Sequence, residues 1–256
     1  MDLLVSGRVA LVTGASSGIG EAVALSLAKE GATVALAARR LERLEQVAEN
    51  ARKLGAAKVK TFHFDQADLT SGANLVSEVC SALGPIDILI ANGGGPKPGT
   101  YLQTQLEDWD RGYGLVLRSM LQLVNGTLPE MRARHWGRIV ALTSMSVKEP
   151  IPNLVLSNSL RTALVSALKT LSIEVASDGV TINSIATGRI LTDRLLQLYG
   201  NDEEAIKAAA QRDVPIGRAA TPSEFAPLVT FLCGDPASYI TGQTIAIDGG
   251  YIKSLF

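Results

Sequence analysis

The chain has 256 residues, 46% of them apolar and 19% charged, with a formal net charge of −1. That length suits one well-cored α/β domain, and the composition excludes a disordered chain and a membrane bundle. A charge this close to zero supplies no field to recruit nucleic acid or anionic lipid. The opening residues, Met1-Asp2-Leu3-Leu4-Val5-Ser6-Gly7, carry an acid rather than a cationic leader, and no apolar stretch approaches about eighteen residues. A cytoplasmic protein without a membrane partner is expected. Cys80, Cys233, His63 and His135 show no metal-ligand spacing, so no metal is predicted.

Apolar, β-branched runs of strand length recur at 8–13, 33–38, 58–64, 86–91, 138–143, 181–186 and 244–248. They are nearly continuous rather than alternating, as strands buried on both faces require. Between them lie helical stripes such as Ile19, Val23 and Leu27, or Leu41, Leu44 and Val47. Strand alternating with helix predicts a doubly wound, Rossmann-type, seven-stranded parallel sheet with helices on both faces, a single α/β domain over 1–256. Gly31, Gly55, Gly84 and Gly179 fall where a helix gives way to the next strand, positions that favour a left-handed backbone. The long interval without strand character, 188–215, is expected to be a substrate lid, with Asn201-Asp202-Glu203-Glu204 capping a short helix inside it.

The first strand runs into Thr13-Gly14-Ala15-Ser16-Ser17-Gly18-Ile19-Gly20 and then into an amphipathic helix. A glycine-rich turn in this context binds a dinucleotide: Gly14 permits the sharp turn, Gly18 admits the pyrophosphate, and Gly20 lets helix pack on strand. The helix N-terminus holds the anion, so Gly14, Ser16, Ser17, Gly18, Ile19 and Gly20 are assigned to cofactor binding. The second strand ends in Ala38-Arg39-Arg40, where a carboxylate would favour NAD. Two arginines instead favour the 2′-phosphate of NADP(H) over NAD(H), although they also suit the opening of a solvated helix, and dual specificity stays open.

This turn, together with Leu89-Ile90-Ala91-Asn92-Gly93-Gly94 and Gly137-Arg138-Ile139-Val140-Ala141-Leu142-Thr143-Ser144, resembles the short-chain dehydrogenase/reductase family from end to end. Within it the chain is most similar to the 3-oxoacyl-acyl-carrier-protein reductase branch, through Ile216-Gly217-Arg218 and Ser238-Tyr239-Ile240-Thr241-Gly242. The resemblance implies that Asp65 accepts from the adenine amino group, that Asn92 and Gly93 lie along the ribose and diphosphate, and that Gly188 belongs to a cofactor-binding segment whose main chain at Ile190 and hydroxyl at Thr192 hold the nicotinamide carboxamide. It also implies a small-molecule substrate and a homotetramer.

In that family a serine is followed thirteen positions later by the tyrosine of Tyr-x-x-x-Lys. Counted from Ser144, this chain has Ser157 in the tyrosine's place and Arg161 in the lysine's, with Val116 where the family carries a helical asparagine. A serine hydroxyl is too weak an acid, and arginine too persistently charged, to reproduce the Tyr–Lys couple. The expected activity is an NAD(P)(H)-dependent oxidoreductase in which Ser144 and Ser157 orient the acceptor and Arg161 binds ribose and favours hydride arrival. Water supplies the proton in this reading; Tyr113, Tyr199 and Tyr251 are stand-ins only if folding brings them close. A second reading is a cofactor-binding protein without turnover, serving as a sensor or as the non-catalytic subunit of a mixed oligomer. The basic-aromatic cluster Arg132, Arg134, His135, Trp136 and Arg138 is read as a loop rather than a nucleic-acid site.

Overall fold

The computed structural model describes residues 1–255. Strands β1 (Val9–Thr13), β2 (Thr33–Ala38), β3 (Lys58–His63), β4 (Ile88–Ala91), β5 (Gly137–Leu142), β6 (Val180–Thr187) and β7 (Thr244–Ile247) form one parallel sheet in the order β3-β2-β1-β4-β5-β6-β7. The helices are α1 (Gly18–Lys29), α2 (Leu41–Leu54), α3 (Ser71–Leu83), α4 (Leu106–Gly112), α5 (Ser119–Ala133), α6 (Val155–Val175), α7 (Asp193–Leu198), α8 (Glu203–Asp213) and α9 (Pro222–Leu232).

The continuous apolar runs have a direct cause. Successive side chains of a strand point to opposite faces, and here both faces are covered. Val12, Leu36 and Ile90 pack with Val23 and Leu27 of α1, Leu44 of α2 and Phe225 of α9. On the other face Leu11, Leu89 and Ile139 pack with Leu75 of α3, Leu123 of α5 and Leu164 of α6. β3 departs from this pattern because it is an edge strand: Lys58, Lys60 and His63 are left exposed, and lysines on an edge discourage pairing with another chain. Gly31, Gly55, Gly84 and Gly179 have positive φ, as their place between helix and strand predicts.

Between α4 and α5 the chain makes six residues of π-helix, Tyr113–Arg118, which the sequence does not announce. Gly112 allows this segment to approach α6, since a Cβ there would lie 2.8 Å from Leu160 Cδ1. The interval 188–215 folds as α7 and α8. Asp202 caps α8 as expected, accepting from the Ala205 N–H at 3.0 Å, whereas α7, capped by Thr192, was not predicted.

At the amino ends of the strands the basic-aromatic cluster is neutralised. Arg132 pairs with Asp178, Arg134 with Asp87, and buried Arg138 with Asp235, while Arg8 and Arg138 sandwich the Trp136 ring. Among the described residues no helix is long and apolar enough to cross a membrane.

Leu11 lies fully buried in β1, an interior strand of the sheet. Leu11→Ala should therefore destabilise the protein by about 2–5 kcal/mol in denaturant unfolding, because the packed helices on its side cannot collapse onto the space left.

Candidate active site

The strand order reverses between β1 and β4, so the connections leaving their carboxyl ends run to opposite faces and open a crevice there. The crevice is held by a clasp. Thr13 Oγ1 donates to the Asn92 carbonyl at 2.6 Å and accepts from the Asn92 N–H at 2.9 Å, while Asn92 Nδ2 donates to the carbonyls of Thr13 and Gly14. The Asn92 side chain is thereby committed to the glycine turn. In this position it forms part of the cleft wall beside the turn.

The turn has the geometry its glycines predict. Gly14 and Gly18 both have φ of +61°. A Cβ on Gly20 would sit 2.3 Å from the Gly14 carbonyl oxygen, so Gly20 is a packing residue beneath the cleft and does not line it. Ser17 at the start of α1 makes no side-chain cap, leaving the helix N–H groups for an anion. Arg40 reaches over the same turn, donating to Ser17 Oγ at 2.8 Å and Ser16 Oγ at 3.2 Å.

A cleft of about 640 Å³ runs from here along the carboxyl ends of the sheet. Gly14, Ser16, Ser17, Gly18, Ile19, Arg39, Arg40, Asp65, Asn92 and Gly93 line it, and so do Ser144, Ser157, Arg161, Gly188, Ile190 and Thr192. Folding thus brings together every predicted site residue except Gly20. Tyr113, Tyr199 and Tyr251 are not among the lining residues.

At the inner end, Ser144 Oγ accepts from the Ser146 N–H at 3.1 Å, which leaves its own O–H free to donate. Ser157 lies in the first turn of α6, buried, without a side-chain hydrogen bond and not at the helix cap, which is Leu154. One turn further on, Arg161 donates to the carbonyls of Leu142 at 3.3 Å and Gly94 at 3.4 Å. Burial, and then the charge of Arg194, push its guanidinium down to about 10, still charged at neutral pH. Val116 is buried with Leu156 and Leu160 in a small apolar cluster joining the π-helical segment to α6. The wall behind Ser157 and Arg161 is therefore apolar.

Gln66 and Arg194 are polar lining residues that the sequence did not announce. Gln66 Oε1 accepts from the Gly94 N–H at 3.1 Å and its Nε2 donates to Ser119 Oγ at 3.2 Å. A Cβ on Gly93 would fall 2.0 Å from Gln66 Oε1, which explains a glycine at 93. Arg194 of α7 crosses to the loop after β4 and donates to the Pro96 carbonyl at 3.3 Å. The run Gly93-Gly94-Gly95 was the available signal, since the missing side chains of Gly93 and Gly95 leave room for Gln66 and Arg194.

Residues 14–252 match the family model described as Enoyl-(Acyl carrier protein) reductase. The chain is 32% identical to the NADPH-dependent reductase BacG of Bacillus subtilis, over 98% of this chain and 100% of that one. It is also 32% identical to the 3-oxoacyl-[acyl-carrier-protein] reductase FabG of Aquifex aeolicus, over 98% and 99% respectively. The L-sorbose reductase of Gluconobacter frateurii, solved with NADPH and L-sorbose, superposes with a TM-score of 0.92 at 35% identity over the whole of both chains.

Gly93→Ala should cost about 1–3 kcal/mol of stability, because the new methyl group expels the Gln66 amide from its bonds. Gly93→Ala combined with Gln66→Ala should recover part of that loss, and a double-mutant cycle in urea measures the coupling.

Proposed function

Because the chain belongs to the short-chain dehydrogenase/reductase family, we propose that it is an NADPH-dependent reductase whose site orients its acceptor by hydroxyls rather than protonating it with a tyrosine. The observation that carries this reading is one continuous cleft with a dinucleotide turn at one end and Ser144, Ser157 and Arg161 at the other. Similarity to BacG and to the NADPH-bound L-sorbose reductase supports the cofactor. The residues present fit it. Uncapped N–H groups at α1 suit a diphosphate, and Arg40 anchored on Ser16 and Ser17 suits a 2′-phosphate.

NADPH supplies a hydride when bound. Ser144 donates its hydroxyl proton as a hydrogen bond to the acceptor oxygen, and Ser157, with no partner within the protein, is free to do the same. Arg161 keeps positive charge beside the oxygen as negative charge develops there. No residue in this group titrates as the family's tyrosine does, so water carries the proton. Loss of a general acid costs a factor of ~10²–10⁴, whereas orienting the reactants supplies ~7–11 kcal/mol, so orientation outweighs the missing acid. Acceptors whose proton ends on carbon, such as conjugated enones, or whose electrophile is already cationic, such as iminium ions, suit the site better than simple ketones.

The apolar wall at Val116 and the Ser157–Arg161 pair also favour a second reading, a subunit that binds NADPH without turnover. Single-turnover oxidation of bound NADPH across ketones, enones and imines separates the two. A rate above buffer for at least one acceptor supports the reductase, and Ser144→Ala should lower that rate by roughly 10- to 100-fold. Absence of any such rate supports the second reading. The rate should stay level from about pH 6 to about pH 9, because no tyrosine base is lost or gained over that span.

Arg40→Asp should weaken NADPH binding by roughly 10- to 100-fold while leaving NADH nearly unaffected, as measured by fluorescence titration of each. Equal weakening of both would place Arg40 away from the 2′-phosphate.

A further inference from the structure

The inner half of the cleft carries two cations that the hydride-transfer reading does not fully use. Arg161 and Arg194 both line the cleft and reach the same loop after β4, Arg161 donating to the Gly94 carbonyl and Arg194 to the Pro96 carbonyl two residues on. Among the described residues neither has a carboxylate partner, and their guanidinium groups bond only to the carbonyls of Leu142, Gly94 and Pro96. Neighbouring cations are treated differently: Lys97 and Arg111 share Asp108, Arg43 pairs with Asp193, and Arg189 with Asp213.

The seat for Arg194 is also built. A Cβ on Gly95 would lie 2.8 Å from Arg194 Nη2 and 3.3 Å from its Cζ and Nε, so the guanidinium rests flat on a residue without a side chain. Two like charges held together in a cleft repel each other and are costly to desolvate unless an anion joins them. The diphosphate and 2′-phosphate of a dinucleotide already have their own holders in α1 and Arg40. We propose that the acceptor reduced by this protein bears a carboxylate, and that Arg194, seated on Gly95 and aided by Arg161, binds it. Arg194 is thus a specificity-determining residue that fixes which end of the acceptor faces the two serines. This inference rests on the reductase reading and adds the substrate class to it.

The test compares 4-oxo-2-pentenoate with its carboxamide as acceptors for NADPH. The acid should be preferred in kcat/KM by roughly 10- to 100-fold, the scale of a charge-assisted hydrogen bond lost on neutralisation. Arg194→Gln should bring that ratio close to one while the Kd for NADPH changes by less than about twofold. Gly95→Ala, which keeps the charge but dislodges the guanidinium, should shrink the ratio in the same direction. The proposal is overturned if the wild-type protein does not distinguish acid from amide. It is also overturned if Arg194→Gln weakens NADPH about tenfold and leaves the ratio intact, which would make Arg194 a cofactor ligand. If neither acceptor is turned over, binding of crotonate and of crotonamide to the NADP⁺-loaded protein decides the matter. Crotonate binding that is lost in Arg194→Gln sustains the anion site even though the reductase reading fails, and equal or absent binding of both removes it.

Discussion

Everything at the carboxyl ends of the sheet depends on the Thr13–Asn92 clasp. The chain leaves β1 for one face of the sheet and β4 for the other, so these neighbouring strand ends are pulled apart by the helices that follow. Three hydrogen bonds between these two residues, and a fourth from Asn92 to the Gly14 carbonyl, hold the ends together. A Cβ on Gly14 or on Gly20 would lie 2.7 Å from Asn92 Nδ2, so the glycine turn and the loop after β4 pack together as one object. The cleft begins at that object, and α1 inherits its direction from it.

From this fixed point the two ends of the cleft differ in kind. The outer end offers uncapped backbone N–H groups and an arginine braced on two serines, an arrangement that selects by charge and shape. The inner end offers two hydroxyls and a half-buried guanidinium against an apolar wall. Hydroxyls of this kind can point and polarise but cannot change protonation state near neutrality. Such a site gains its advantage from holding reactants in place, so the rigidity of its supports matters more than the acidity of its groups.

How much of this was legible in the sequence follows from the range of each interaction. The strands were readable because burial on both faces leaves a largely apolar signature, which is broken most plainly in the edge strand β3, with Lys58 and Lys60. The nucleotide turn was readable from its local context, and Ser157 from its spacing to Ser144. The contacts that crossed the fold were not readable. Gln66 meets Gly93 and Ser119, and Arg194 meets Gly95 and Pro96, through side chains far apart in the sequence. A triple glycine announced that space was needed without saying what fills it. The π-helical segment was equally silent, since its register is set by packing on α6 rather than by residues that favour such a turn.

The distribution of charge over the two ends of the sheet has a last consequence. At the amino ends, arginines are matched by Asp87, Asp178 and Asp235, while the cleft is lined by Arg39, Arg40, Arg161 and Arg194, none of them ion-paired among the described residues. The lining of the cleft mouth therefore carries an excess of positive charge, four arginines against Asp65 and Asp193. Anionic ligands diffusing nearby are steered into that mouth, and dissolved salt weakens the guidance over distances of about 10 Å. Capture should slow as ionic strength rises, while the lifetime of the bound state, governed by short-range contacts inside the cleft, changes far less.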